Sequence, residues 1–189
     1  MNKNKLTPQE SFKIITQVID DAKNRFEENG IIYVMWGILI ALASFSEYFL
    51  LQNGYGDIHY YPYFLMPIGV FISWFYYKNK RKNGRNHIEK LISKAWIIIS
   101  SNILILGFIF ASLLNENLNG IILILMGIGT IISGVSLNKK IVLTAGLFLN
   151  FAGFFCFTLE SPTQPLFMGI ISIIAVFIPG LILMLKHKK

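Results

Sequence analysis

The side chains of this chain that could do chemistry are few and far apart. Three His residues, His59, His87 and His187, fall in different segments, and Cys156 has no second thiol to pair with. No HExxH, GxSxG or Walker-type phosphate loop occurs, so metal-activated water, acyl transfer and nucleotide binding each lack a recognisable set of groups. The expectation is no catalytic residues, no cofactor and no bound metal. The nearest approach to a site is NGYGDIHYYPY, Asn53 to Tyr63, where Asp57 stands two residues before His59 among tyrosines. Together with Glu47, Glu116 and Glu160, that carboxylate and imidazole could hold a cation. An exposed interfacial loop accounts for the same residues more simply. Inside the apolar stretches the polar groups are Asn102 and Asn150, and Pro67 and Pro179 each delete a backbone hydrogen bond. Such features either line a pathway or merely join and fit neighbouring helices, and joining is the commoner use.

The elements that must carry these groups are apolar runs. Of 189 residues, 54% are hydrophobic and 14% charged, against roughly 25% charged in an ordinary soluble domain. A bilayer core needs about 20 apolar residues per helix. Six runs approach that length: residues 31–51, 60–77, 95–114, 120–137, 141–159 and 166–185. The fold class expected is all-α: a polytopic membrane protein with six transmembrane helices over residues 31–185. A cytoplasmic amphipathic helix, 1–30, precedes them and a basic tail, 186–189, follows.

Charge sets the orientation. All 17 Lys and Arg lie before the first run, between the second and third, between the fourth and fifth, or after the sixth. The opposite side carries Glu47, Asp57, Glu116 and Glu160 and no base. By the positive-inside rule both termini are cytoplasmic, as in a multi-pass protein of a bacterial inner membrane. The net charge of +7 is therefore a topology signal, and nucleic acid is not an expected partner. The basic loop around Lys78, Lys80, Arg81, Lys82 and Arg85 is read as a contact for anionic lipid headgroups.

The first segment differs from everything after it. Thr7, Pro8 and Glu10 spell a capped helix start, and Phe12, Ile15, Ile19, Ala22 and Phe26 then recur at spacings of 3, 4, 3 and 4. A narrow apolar seam of this kind needs a partner surface. The polar face is balanced, with five basic and five acidic residues over 1–30, which argues against a purely lipid-binding helix. The stripe Ile88, Leu91, Ile92, Ala95 of the same chain, a second copy, or another protein could each cover it.

Small residues mark the closest helix contacts. Gly120, Gly127 and Gly134 recur every seventh residue, Gly146 and Gly153 repeat the device in the next run, and only about three residues separate the two runs. A tight antiparallel hairpin is expected. NGIIYVMWGILI from Asn29 and NGIILILMGIGT from Asn119 share several positions. Because these runs enter from opposite sides, a true repeat would be three-plus-three and inverted, the plan of many transporters.

Finally, ESFKIITQVIDDAKNRFEENGIIYVMWG, Glu10 to Gly37, resembles the start of an uncharacterised family of small bacterial multi-pass membrane proteins. The resemblance implies a bacterial membrane protein and brings no active-site residues with it. The function expected is a non-enzymatic regulatory, scaffold or assembly component acting through its N-terminal helix. The alternative is a small-solute transporter or cation channel with its pathway near the third and fifth spans.

Overall fold

A computed structural model describes residues 7–28, 30–80, 87–114 and 117–187, with side chains for all of these except 20–28, 79–80, 87 and 186–187. Every regular element among them is helical. Helix α1 (Pro8–Glu28) starts where its capping residues dictate. The Glu10 amide donates to Thr7 Oγ1 at 3.2 Å, and Glu10 Oε2 accepts from the Thr7 amide at 2.8 Å and the Thr7 hydroxyl at 2.9 Å. This reciprocal box satisfies two groups that a helix start otherwise leaves open. The Thr7 backbone and then its hydroxyl, both donating to the carboxylate, hold the Glu10 carboxyl below the usual range.

Beyond α1 come α2 (Gly30–Gln52), a 3-10 turn at Tyr61–Phe64, α3 (Leu65–Lys80), α4 (His87–Phe108), the single turn α5 (Ala111–Leu114), α6 (Asn117–Ser136) and α7 (Lys140–Cys156). The last helix is continuous but mixed: α8 (Thr163–Ser172), a π-helical turn at Ile173–Phe177 and α9 (Ile178–His187). Four helices are long and apolar enough to cross a membrane, over Gly30–Gln52, Ile88–Phe108, Asn117–Ser136 and Thr163–Leu185. This makes the chain an all-helical, membrane-compatible protein. The second and fifth apolar runs are shorter as helices, 16 and 17 residues.

The two prolines read as deleting backbone hydrogen bonds are accommodated locally. Pro67 lies in the first turn of α3, where a missing N–H breaks no bond, so the second run opens as a 3-10 turn instead of bending midway. Pro179 follows the π-turn, in which the Ile178 amide reaches back five residues to Ile173 O. The wider turn absorbs the lost bond. The third run starts earlier than its hydropathy suggests, at His87, and its helix ends at Phe108 before the separate turn α5.

Two pairs of helices approach through glycine. In the α6–α7 hairpin, a Cβ on Gly127 would lie 2.8 Å from the Asn150 amide nitrogen, and one on Gly134 2.5 Å from that of Leu143. Gly120 lies against Gly153 and Phe157, and Gly146 against Ile131. The turn closes with Asn138 at φ 50°, the Lys139 amide donating to Gly134 O at 2.9 Å and that of Asn138 to Val135 O at 3.1 Å. This is a Schellman stop with Asn at the left-handed position. Helix α2 runs antiparallel to the last helix in the same manner: Gly30 faces Gly180 and Met184, and Gly37 faces the Phe177 backbone. The core, with Ile40, Leu123, Met126, Leu149, Met168 and Ala175 buried, lies where α2, α6, α7 and α8 meet.

The two segments of the suggested inverted repeat occupy unlike surroundings. It would make α2–α3 the copy of α6–α7, yet only the second pair packs glycine on glycine along its length.

Candidate functional site

Apolar packing between α3 and α4 is missing. No described Cα of one lies within 8 Å of the other, and a cleft of about 1950 Å³ occupies the gap. Small-molecule pockets are typically about 300–1,000 Å³, so the space exceeds one ordinary ligand and opens sideways. One wall is α2 and α3, the other α4 and α6, and Met168 and Val176 of the last helix form its back.

Each wall is riveted by an indole. Trp36 Nε1 of α2 donates to Ser73 Oγ of α3 at 3.1 Å, and Trp96 Nε1 of α4 donates to Ser133 Oγ of α6 at 2.9 Å. In an apolar medium such a bond satisfies a donor that would otherwise be stranded. All three tryptophans, Trp36, Trp74 and Trp96, line the cleft. Lys78 Nζ already covers Trp74, 4.9 Å from its ring centroid.

At one end the cleft is polar. Glu47 is 6% exposed although it belongs to α2. Tyr63 Oη donates to its Oε2 at 2.7 Å, and His59 Nδ1 lies 3.0 Å from its Oε1, where an Nδ1–H donates to the carboxylate. The segment after α2 is thereby clasped back over the helix end. Phe64 meets Phe108 of α4 edge to face at 5.5 Å and joins the two walls there. Gln164 is 2% exposed; its Nε2 donates to Leu159 O at 2.8 Å, and its Oε1 lines the same end with no partner among the described residues.

The residues singled out from sequence are distributed differently. Asn102 bonds Ile98 O of its own helix at 2.8 Å, and Asn150 donates to Ile124 O of α6 at 3.2 Å. Neither they nor Pro67 nor Pro179 line the cleft. Asn150 joins two helices; of the third and fifth spans, which the suggested pathway was to follow, the third, α4, lines the cleft. His59 turns to Glu47 instead of Asp57, and no three His, Cys, Asp or Glu side chains converge among the described residues. On α1, Phe12 is 72% and Ile15 57% exposed, while Ile19 is half-buried. The side chains of Ala22 and Phe26 lie outside the described set. Helix α1 approaches α9, α2 and α4, and within the Ile88–Ala95 stripe Ile92 packs on Leu137 of the α6–α7 turn, with Ile88 and Trp96 beside it. Lys78 lies on α3, whereas the Lys80 side chain and Arg81, Lys82 and Arg85 fall outside the described residues.

Sequence reading named Glu47 only as one of four acids on the outer side, and it passed over Tyr63 and the two Trp–Ser pairs. The stronger signal of Glu47 is its place as a carboxylate inside an apolar run. The fold and cleft define an all-helical membrane-type protein with an aromatic, acid-tipped cavity. No family model, curated protein or solved structure matches the chain.

Proposed function

We propose that this chain is a six-span, non-enzymatic protein of a bacterial cytoplasmic membrane, with both termini cytoplasmic, that takes an amphipathic small molecule into the cleft between α2–α3 and α4–α6. The observation that carries this reading is the space between α3 and α4, lined mostly by apolar and aromatic side chains and tipped by the buried Glu47 carboxylate. A side opening suits entry from the lipid phase, and a fixed polar pole orients a molecule that has one polar end. Because every tryptophan lines the space, occupancy is directly readable. In dodecyl maltoside, doxyl-labelled decyl probes with cationic, neutral and anionic head groups are titrated against tryptophan emission. Saturable quenching by at least one probe is the expected result. Quenching by all three that rises without saturation, like that of tryptophan octyl ester in the same micelles, removes the reading.

A second reading concerns α1 and is favoured by the exposure of Phe12 and Ile15. The occupant proposed for this seam is α1 of a second copy, because apolar residues at spacings of 3, 4, 3 and 4 are the pattern with which two such helices interlock. Cys156 is buried, so Phe12→Cys adds an accessible thiol to a quiet background. Mild oxidation in native membranes is expected to give a disulfide-linked dimer. A product that stays monomeric, while a thiol reagent shows the introduced thiol to be reactive, rejects pairing through α1.

A further inference from the structure

The two Trp–Ser bonds repeat at a fixed interval. Each joins an indole to the serine 37 residues later, and the two pairs are 60 residues apart. Each ring also fills the notch of the glycine four residues before that serine. A Cβ on Gly69 would lie 3.1 Å from Trp36 Cη2, and one on Gly129 3.3 Å from Trp96 Cη2. The residue three after each Trp, Leu39 or Ile99, comes closer still, at 2.7 and 2.9 Å. The same shift of 60 aligns LMPIGVFIS, residues 65–73, with LMGIGTIIS, residues 125–133, identical at six of nine positions. It also carries one cleft wall onto the other: Trp36 onto Trp96, Ile40 onto Ser100, Met66 onto Met126 and Val70 onto Thr130, all of them lining residues. Helices α2–α3 and α4–α6 are thus two copies of one hairpin entering the bilayer in the same sense, a parallel repeat about an axis along the membrane normal. The cleft lies between the copies.

Where the copies differ shows what the cleft is for. Glu47 of the first copy corresponds to Gly107 of the second, and both line the cleft. A Cβ on Gly107 would meet nothing within 4 Å. The acid on one wall therefore has open space as its counterpart on the other. The acids lining the cleft are Glu47 and Glu160 at this end and Glu89 elsewhere; no Lys or Arg among the described residues lines it, Lys78 reaches only the Trp74 ring, and His59, the titratable base at this end, is bonded to Glu47. Both Glu47 oxygens are engaged by donors, yet a carboxylate offers about four acceptor positions, leaving room for a further positive partner.

Resting on the reading that the cleft takes an amphipathic ligand, we infer that this ligand is a hydrophobic organic cation, its charged head beside Glu47 in the space over Gly107 and its apolar body between the two Trp-bearing walls. Aromatic faces and a carboxylate in low dielectric both favour a weakly hydrated cation, and neither favours an anion.

Tetraphenylphosphonium and tetraphenylborate, a cation and an anion of matched size and shape, test this on the full chain in uncharged dodecyl maltoside. Phosphonium is expected to quench tryptophan emission saturably, with a Kd at least about tenfold below that of borate, against the protein's own net charge of +7. Gly107→Leu is expected to weaken phosphonium binding about tenfold or more without lowering the melting temperature, because a Cβ there has nothing within 4 Å and the rest of the side chain enters the cleft. Glu47→Gln is expected to erase the difference between the two ions. Equal affinities, a preference for borate, or phosphonium binding indifferent to Gly107→Leu would each overturn the cation proposal, while saturable binding of either ion leaves the cleft reading standing. Saturable binding by neither ion, and by none of the decyl probes, removes both.

Discussion

Gly134→Leu is expected to be the most damaging single change in the membrane domain, lowering the apparent melting temperature in detergent by about 10 °C. A Cβ at Gly134 would lie 2.5 Å from the Leu143 amide nitrogen and 2.7 Å from its Cα. Those atoms are backbone, so no rotamer change relieves the contact. The Asn138 turn ties the helices together only four residues further on, which prevents them from splaying locally. Overpacking typically costs about 1–3 kcal/mol, and an immovable neighbour puts this site at the upper end. A domain of about 150–250 residues loses roughly 2–4 °C per kcal/mol. Gly107→Ala is the control with no neighbour to displace, and its melting temperature should be no lower than that of the wild type. Were Gly134→Leu to melt with Gly107→Ala, the α6–α7 contact would not be the tight one described.

That hairpin also shows which features a single sequence can carry. Gly120, Gly127 and Gly134 are seven apart, so periodicity alone puts them on one helix side, and a short turn leaves α7 as their neighbour. Trp36 and Ser73 are 37 residues apart with a loop between them, and no local rule pairs them. Their shift-related copies are visible once the interval of 60 is tried, but an apolar alphabet rich in Ile and Gly hides such an interval among chance matches. Helix ends were less legible than helix existence. Hydropathy reads Tyr60 to Tyr77 as one run, while Pro62 and Pro67 confine its α-helix to Leu65–Lys80. The site was the hardest part, because Glu47 acquires its meaning from Tyr63 and His59, which reach it only after the chain has turned back.

Glu47→Ala is expected to release that turned-back segment, raising amide exchange across residues 53–64 by about 100-fold. The carboxylate holds the segment by two bonds, from Tyr63 at 2.7 Å and His59 at 3.0 Å. Removing it leaves Tyr63 Oη with Asn119 Oδ1 at 3.5 Å, at the limit of a hydrogen bond. An exposed pair would contribute only about 0–1 kcal/mol. Here the acid is 6% exposed, and stranding the partners of a buried charge costs roughly 3 kcal/mol, equivalent to a factor of about 100 in local opening. Glu47→Gln keeps one acceptor oxygen and shape, so its segment should exchange at an intermediate rate while the rest of α2 is unaffected. The position of the effect matters as much as its size. Faster exchange confined to 53–64 means that Glu47 clasps the segment over the mouth of the cleft, and that a cation competing for the carboxylate would loosen it. Exchange unchanged in Glu47→Ala would mean that Phe64 against Phe108 holds the segment instead, leaving the carboxylate free of a structural duty and making ligand contact its main use.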